Sequence, residues 1–118
     1  MKLIHQTLLF LMAWKFAYAS EKYNLVYVEQ QGCFYCEIWD EEIAHIYPKT
    51  REGQFAPLIR LDISNYETTM DYVKPVVFTP TFILTKDSSE ISRVEGYIGD
   101  DLFWGMLEVM LKRETNYK

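Results

Sequence analysis

A small α/β fold, with a central mixed sheet of about four strands flanked by helices, is the architecture this sequence predicts. Three observations carry that expectation. A short run apolar on consecutive residues, Leu25-Val26-Tyr27-Val28, is followed at once by an amphipathic stretch. Two β-prone runs are joined by the polar turn Lys86-Asp87-Ser88-Ser89, and a last amphipathic segment closes the chain. Both cysteines stand together as Cys33-Phe34-Tyr35-Cys36, between the first strand and the first helix.

Leu25 to Val28 reads as a strand covered on both faces, since a half-solvated strand would alternate apolar with polar. From Cys33 to Tyr47, Trp39, Ile43, Ile46 and Tyr47 recur at helical spacing, and Pro48 is expected to close that helix. A loop with Gly53 and Pro57 leads into a second strand, Leu58 to Ile63. Tyr66 to Lys74 reads as a weaker helix ended by Pro75. Val76 to Thr85 is β-prone but broken by Pro80, and Glu90 to Tyr97, with Ile91, Arg93 and Val94, reads as its antiparallel edge-side partner. Asp100 or Asp101 is the expected cap of a final helix, whose apolar stripe is Phe103, Met106, Leu107, Met110 and Leu111. Strand, helix, strand in this order implies a right-handed crossover between parallel neighbours.

The first 19 residues read as an export signal. Lys2 supplies a positive start, Leu8 to Trp14 is unbroken apolar sequence, and Ala17-Tyr18-Ala19 before Ser20 has the small-x-small form of a cleavage site. A retained membrane span is the poorer reading, because His5, Gln6 and Lys15 interrupt a stretch that would need about 20 apolar residues. Residues 20–118 then form one domain, expected in the periplasm and expected to be monomeric. Cleavage removes two lysines and no acid, so the formal charge of −5 becomes −7. An acidic surface excludes nucleic-acid binding, which depends on Lys and Arg neutralising phosphates.

The spacing of the cysteines points to redox chemistry. In a C-x-x-C at a helix start, the first sulfur sits among unpaired N–H groups and the second lies one turn inward, so the pair opens and closes without unfolding the chain. Cys33 is the expected nucleophile and Cys36 the resolving thiol. Glu37 and Asp40 lie one helical turn after them. Each like-charge neighbour costs about 0.2–0.5 kcal/mol against a helix-terminus gain of about 0.3–1 kcal/mol, so activation is modest and a reductase is favoured over a strong oxidant.

Other classes fit less well. Structural zinc needs four Cys or His ligands, and residues 20–118 offer Cys33, Cys36 and His45, so no metal or other cofactor is expected. A cysteine hydrolase would need a base near Cys33, but His45 lies about 18 Å further along an ideal helix. A purely structural disulfide remains the rival reading. Closing so short a ring constrains the unfolded chain by only roughly 2 kcal/mol, a poor return for a staple.

Pro80 is the second informative position. A proline inside a strand-like run costs a ladder hydrogen bond, so Thr79-Pro80-Thr81 requires either a cis bend or a strand that starts at the proline.

Taken together, Gly32-Cys33-Phe34-Tyr35-Cys36, the acidic run Glu37 to Ile43, Tyr47-Pro48-Lys49-Thr50, Phe78-Thr79-Pro80-Thr81-Phe82 and Glu95-Gly96-Tyr97-Ile98-Gly99 resemble the SoxS-type periplasmic thioredoxins of bacterial sulfur-oxidation systems. The resemblance implies a thioredoxin-like fold and a periplasmic thiol-disulfide oxidoreductase that keeps the cysteine-bearing sulfur carrier SoxYZ active. Its reductant would be a membrane thiol transporter of the CcdA or DsbD type. It further implies that a cis-Pro80 loop faces the dithiol, and that Phe34, Tyr35, Thr79 and Tyr97, with Ile98, form a rim for the partner's cysteine segment. Many thioredoxins carry a buried acid six residues before the first cysteine. Tyr27 stands there instead, leaving Glu29, Glu37 or a water to take the Cys36 proton. The runner-up function is a general periplasmic thiol reductase or isomerase, for example in cytochrome c maturation.

Overall fold

The computed structural model describes residues 21–118, so the expected signal segment lies outside the described residues. Its sheet has strand order β2-β1-β3-β4, with β1 (Tyr23–Glu29), β2 (Leu58–Asp62), β3 (Thr81–Lys86) and β4 (Ser89–Glu95). β1 runs parallel to β2 and antiparallel to β3, and β3 is antiparallel to β4. The sheet is therefore mixed, as expected.

Alternate residues of β1 serve two cores, which is why the run is apolar at every position. Leu25 and Tyr27 face a larger cluster built with Trp39, Tyr47, Phe82, Phe103, Leu107 and Leu111. Val26 and Val28 face a smaller one with Tyr66, Val76 and Ile83. Trp39 is the aromatic centre of the larger cluster, with ring centroids 4.5 Å from Tyr27, 5.2 Å from Phe82 and 5.7 Å from Phe103.

The first helix is shorter and less regular than its periodicity predicts. α1 (Phe34–Trp39) passes into a π-helical turn (Asp40–Ala44), and a 3-10 turn (Tyr47–Lys49) follows. Pro48 thus lies within a turn rather than stopping a helix. A π turn takes up one extra residue, which rotates later positions outward. Ile43 and Tyr47 stay buried while Ile46 becomes 37% exposed.

Where the sequence reads a loop around Gly53, the chain forms α2 (Arg51–Phe55). The Thr50 hydroxyl donates to the Tyr47 carbonyl (2.7 Å) and accepts the Gly53 N–H (3.0 Å). One short turn is too brief to show a period, and glycine is a poor helix former, so the sequence hides it.

The helix expected over Tyr66 to Lys74 does not form. That stretch is a series of turns laid beside the start of β4: the Asp71 N–H donates to the Ser88 carbonyl (2.9 Å), and the Glu90 N–H donates to the Asp71 carbonyl (2.8 Å). Glu90 and Arg93 lock it further. Their side chains are nearly buried and paired at 2.7 Å, Glu90 accepts the Val73 N–H (2.9 Å), and Arg93 donates to the Lys74 carbonyl (2.8 Å). Partners on β4 outbid a weak local helix.

Burial resists ionisation of Glu90, but the hydrogen bond from Arg93 outweighs it and holds the carboxyl below its ordinary 4.5. A depressed folded-state value means stability that is present above the unfolded value and lost as pH falls through the folded one. Glu90→Gln is therefore expected to lower the melting temperature at neutral pH and to flatten its fall below about pH 4.5. Melting curves across that range test this.

β3 and β4 form a hairpin through Asp87 and Ser88, both at positive φ (49° and 70°), the geometry that matches strand twist. β4 is an edge strand, as expected. A bulge opposite Leu84 and Thr85 breaks its alternation, so Ile91 and Val94 both meet the larger core while Arg93 turns to the 73–75 loop. The final helix is α3 (Asp100–Glu114). Neither aspartate is its cap: Gly99 holds that position at φ 121°, and Asp100 and Asp101 occupy the first turn, where negative charge suits the helix dipole. Phe103, Leu107, Met110 and Leu111 are buried, whereas Met106 lies at the edge of the stripe, 42% exposed.

Candidate active site

The end of β1 delivers the chain to a tight turn that opens α1. Gly32 adopts φ 78°, a left-handed conformation that favours glycine, and the Cys33 N–H donates to the Gln30 carbonyl (3.2 Å). Cys33 is extended and caps α1: its sulfur accepts the Cys36 N–H at 3.2 Å. Cys33 and Cys36 are joined as a disulfide, with Cα atoms 5.2 Å apart.

The two sulfurs are unequal. Cys33 is half-buried and reachable, whereas Cys36 is 3% exposed. A donor already aimed at Cys33 would stabilise a thiolate there when the bond is open. α1 has six residues, so this local N–H does more than the dipole of so short a helix.

Pro80 is buried, and the Thr79-Pro80 peptide is cis. The Pro80 carbonyl accepts the Gly96 N–H (2.7 Å), and the Thr81 hydroxyl donates to the Phe78 carbonyl (2.6 Å). These bonds fix the loop from both sides. Tyr35, Phe78, Thr79, Gly96, Tyr97 and Ile98 line an apolar cleft of about 390 Å³.

Of the expected rim, Phe34 and Tyr35 are 65% and 54% exposed and meet edge to face at 5.3 Å. Thr79 is half-buried beside them along the cleft. Tyr97 lies deeper than a rim residue. It is 4% exposed, its ring packs near Phe103, and its hydroxyl donates to Glu42 at 2.8 Å. Burial, and then that hydrogen bond, push its phenol well above the tyrosine range. Ile98 and Phe78, 79% and 60% exposed, provide apolar surface at the mouth of the cleft. Phe78 was legible as part of a proline-interrupted strand and of a resembling segment, not as cleft surface.

The structure separates the two candidate proton acceptors. Glu37 is exposed in the first turn of α1. Glu29 is held by Arg60, whose Nε and Nη2 donate to it at 2.9 and 3.0 Å. Arg60 also donates to both Asp40 oxygens, at 2.8 and 2.9 Å. Tyr27 is fully buried, its hydroxyl donates to the Cys36 carbonyl (3.2 Å), and burial raises its phenol far out of the neutral range. It is a structural donor rather than a base.

A family model described as a thioredoxin-like domain matches residues 12–111. The chain belongs to the thioredoxin-like family. It is similar to the periplasmic thioredoxin SoxS of Paracoccus pantotrophus, solved in its reduced form, with 43% identity, coverage of 77% of this chain and 97% of that one, and a TM-score of 0.74. Thioredoxins of Fasciola hepatica (19% identity, 80% and 82% covered, TM-score 0.55) and Malassezia sympodialis (17%, 74% and 76%, 0.56) share the fold. Among curated proteins, none matches the sequence. The thioredoxin-like domain and its C-x-x-C pair make the chain a homologue of the thioredoxin oxidoreductases.

Proposed function

We propose that this protein is a periplasmic reductase that keeps a cysteine-bearing partner, SoxYZ or its equivalent in a sulfur-oxidation system, in the thiol state. The single observation that carries this reading is the graded pair of sulfurs, with Tyr35 between them lining one cleft with Thr79: Cys33 reachable with a donor on its sulfur, Cys36 shut away behind it.

The reaction follows from that grading. The Cys33 thiolate attacks one sulfur of the partner's disulfide, forming a mixed disulfide and releasing the other partner sulfur as a thiolate that takes up a proton. Cys36, losing its proton, attacks the Cys33 sulfur, closes the Cys33–Cys36 bond and releases the second partner thiol. Two electrons pass to the partner, and a membrane thiol transporter of the CcdA or DsbD type restores the dithiol. The Thr79 N–H and C=O have no hydrogen-bond partner among the described residues, so they are free to pair with an extended partner segment seated over Tyr35 and Ile98. Residues 1–19 supply the export signal in this reading.

Cys36→Ser leaves the attack intact and blocks resolution. The exported variant is expected to accumulate a mixed disulfide with a sulfur-carrier protein, cleaved by dithiothreitol and identified by mass spectrometry. Capture of apocytochromes or of a broad set of cysteine proteins would replace this reading with the general reductase.

A further inference from the structure

The groups beneath Cys36 form one connected unit. Its carbonyl accepts two donors, the Asp40 N–H and the Tyr27 hydroxyl. The Arg60 guanidinium lies over the Tyr27 ring, 4.9 Å from its centroid, and clamps Glu29 on β1 and Asp40 on the π turn. Strand β1, strand β2 and the turn after α1 therefore meet at one cation.

The charge arrangement gives that cation a role beyond packing. Two carboxylates flank the segment that carries Cys36, and a third, Glu37, stands in solvent next to it in sequence. Phe82 and Phe103, on the elements packed over this region, add no charge. With Arg60 in place, Glu29 and Asp40 are paired. Without it, two unpaired negative charges would stand beside the segment that carries Cys36, Asp40 one helical turn after it, and like charge disfavours a thiolate.

We propose that Arg60 is a positioning residue for the dithiol: its fork holds the Cys36 turn on the sheet and cancels the Glu29 and Asp40 charges that would otherwise suppress thiolate formation. The inference rests on Cys33 and Cys36 acting as a redox pair, but on no particular partner. Arg60→Lys would keep the charge and lose the two-sided fork, so it separates the electrostatic share from the geometric one.

The test uses the reduced protein alone, so it stands or falls separately from any partner trapping. Thiolate absorbance in the ultraviolet and the rate of Cys33 alkylation are followed against pH, with melting temperature as a check on folding. Arg60→Gln is expected to raise the apparent thiol pKa by about half a unit, slowing alkylation about threefold below it. Adding Asp40→Asn to that variant is expected to recover most of the shift, and Arg60→Lys to retain most of the native profile. A native profile in Arg60→Gln, even with a lowered melting temperature, would reduce Arg60 to a structural brace and overturn the proposal. So would a double variant that recovers nothing.

Discussion

Cys33→Ala is expected to reduce disulfide reductase activity to background, a loss on the order of a thousandfold or more, as for removal of any covalent nucleophile. Cys36 cannot substitute, because it is 3% exposed, on the buried face of α1 behind the first cysteine. The fold itself should persist, at a lower melting temperature. The ring that the disulfide closes is short, so its loss costs only about 2 kcal/mol, even where the unfolded chain would otherwise be constrained. Insulin reduction with dithiothreitol as reductant measures the first effect, and thermal melting the second. In the reduced wild type, alkylation should modify Cys33 well before Cys36. Equal rates at the two thiols, or substantial activity in Cys33→Ala, would break the assignment of roles.

Gly53→Ala is expected to produce the largest loss of stability of any single methyl added to this chain. A Cβ on Gly53 would overlap the Tyr47 carbonyl and crowd the Pro48 Cα, both of them backbone atoms with no side chain to swing aside. Helix propensity favours alanine by about 1 kcal/mol, but forced overlap in a packed region costs more, about 3 kcal/mol or higher. The clash wins. At about 4–8 °C per kcal/mol for a domain of this size, the melting temperature should fall by roughly 10 °C. Thr50→Ala, which removes the cap of α2 while leaving the backbone room to relax, should cost about 1 kcal/mol and serve as the mild comparison. A Gly53→Ala protein as stable as Thr50→Ala would show that the two turns can separate.

These two positions illustrate how unevenly the site and its scaffold could be read in advance. Cys33 and Cys36 declared themselves by spacing, because the chemistry needs two sulfurs one helical turn apart and few other purposes do. Pro80 declared itself by being out of place in a strand. Gly53 did not, since its role depends on the Tyr47 carbonyl arriving from a separate turn. The Tyr47-Pro48-Lys49-Thr50 segment was visible as a helix end and a family mark, and its cause lies in the structure: a buried tyrosine whose hydroxyl donates to the Ala56 carbonyl (2.7 Å), and a threonine cap. Tyr97 was legible as the end of a strand and, by resemblance, as a rim residue, but not as a buried residue tied to Glu42.

The order of the four strands, the first and last helices, the mixed sheet and the place of the dithiol followed from the sequence itself. Each rests on local repetition: consecutive apolar residues for a strand buried on both faces, a 3.6-residue stripe for α3, two polar residues for a hairpin. The tertiary structure alone decided the rest, because those choices are contests between distant groups. β4 and its Glu90–Arg93 pair, rather than local propensity, set the path of residues 66–75. Arg60, an ordinary strand residue in sequence, became the shared partner of Glu29 and Asp40 once β1 and β2 lay side by side and the π turn reached across them. A hydrogen bond or ion pair between residues 20 or 31 positions apart leaves no periodic trace in the chain, since its strength depends on a distance that only folding creates.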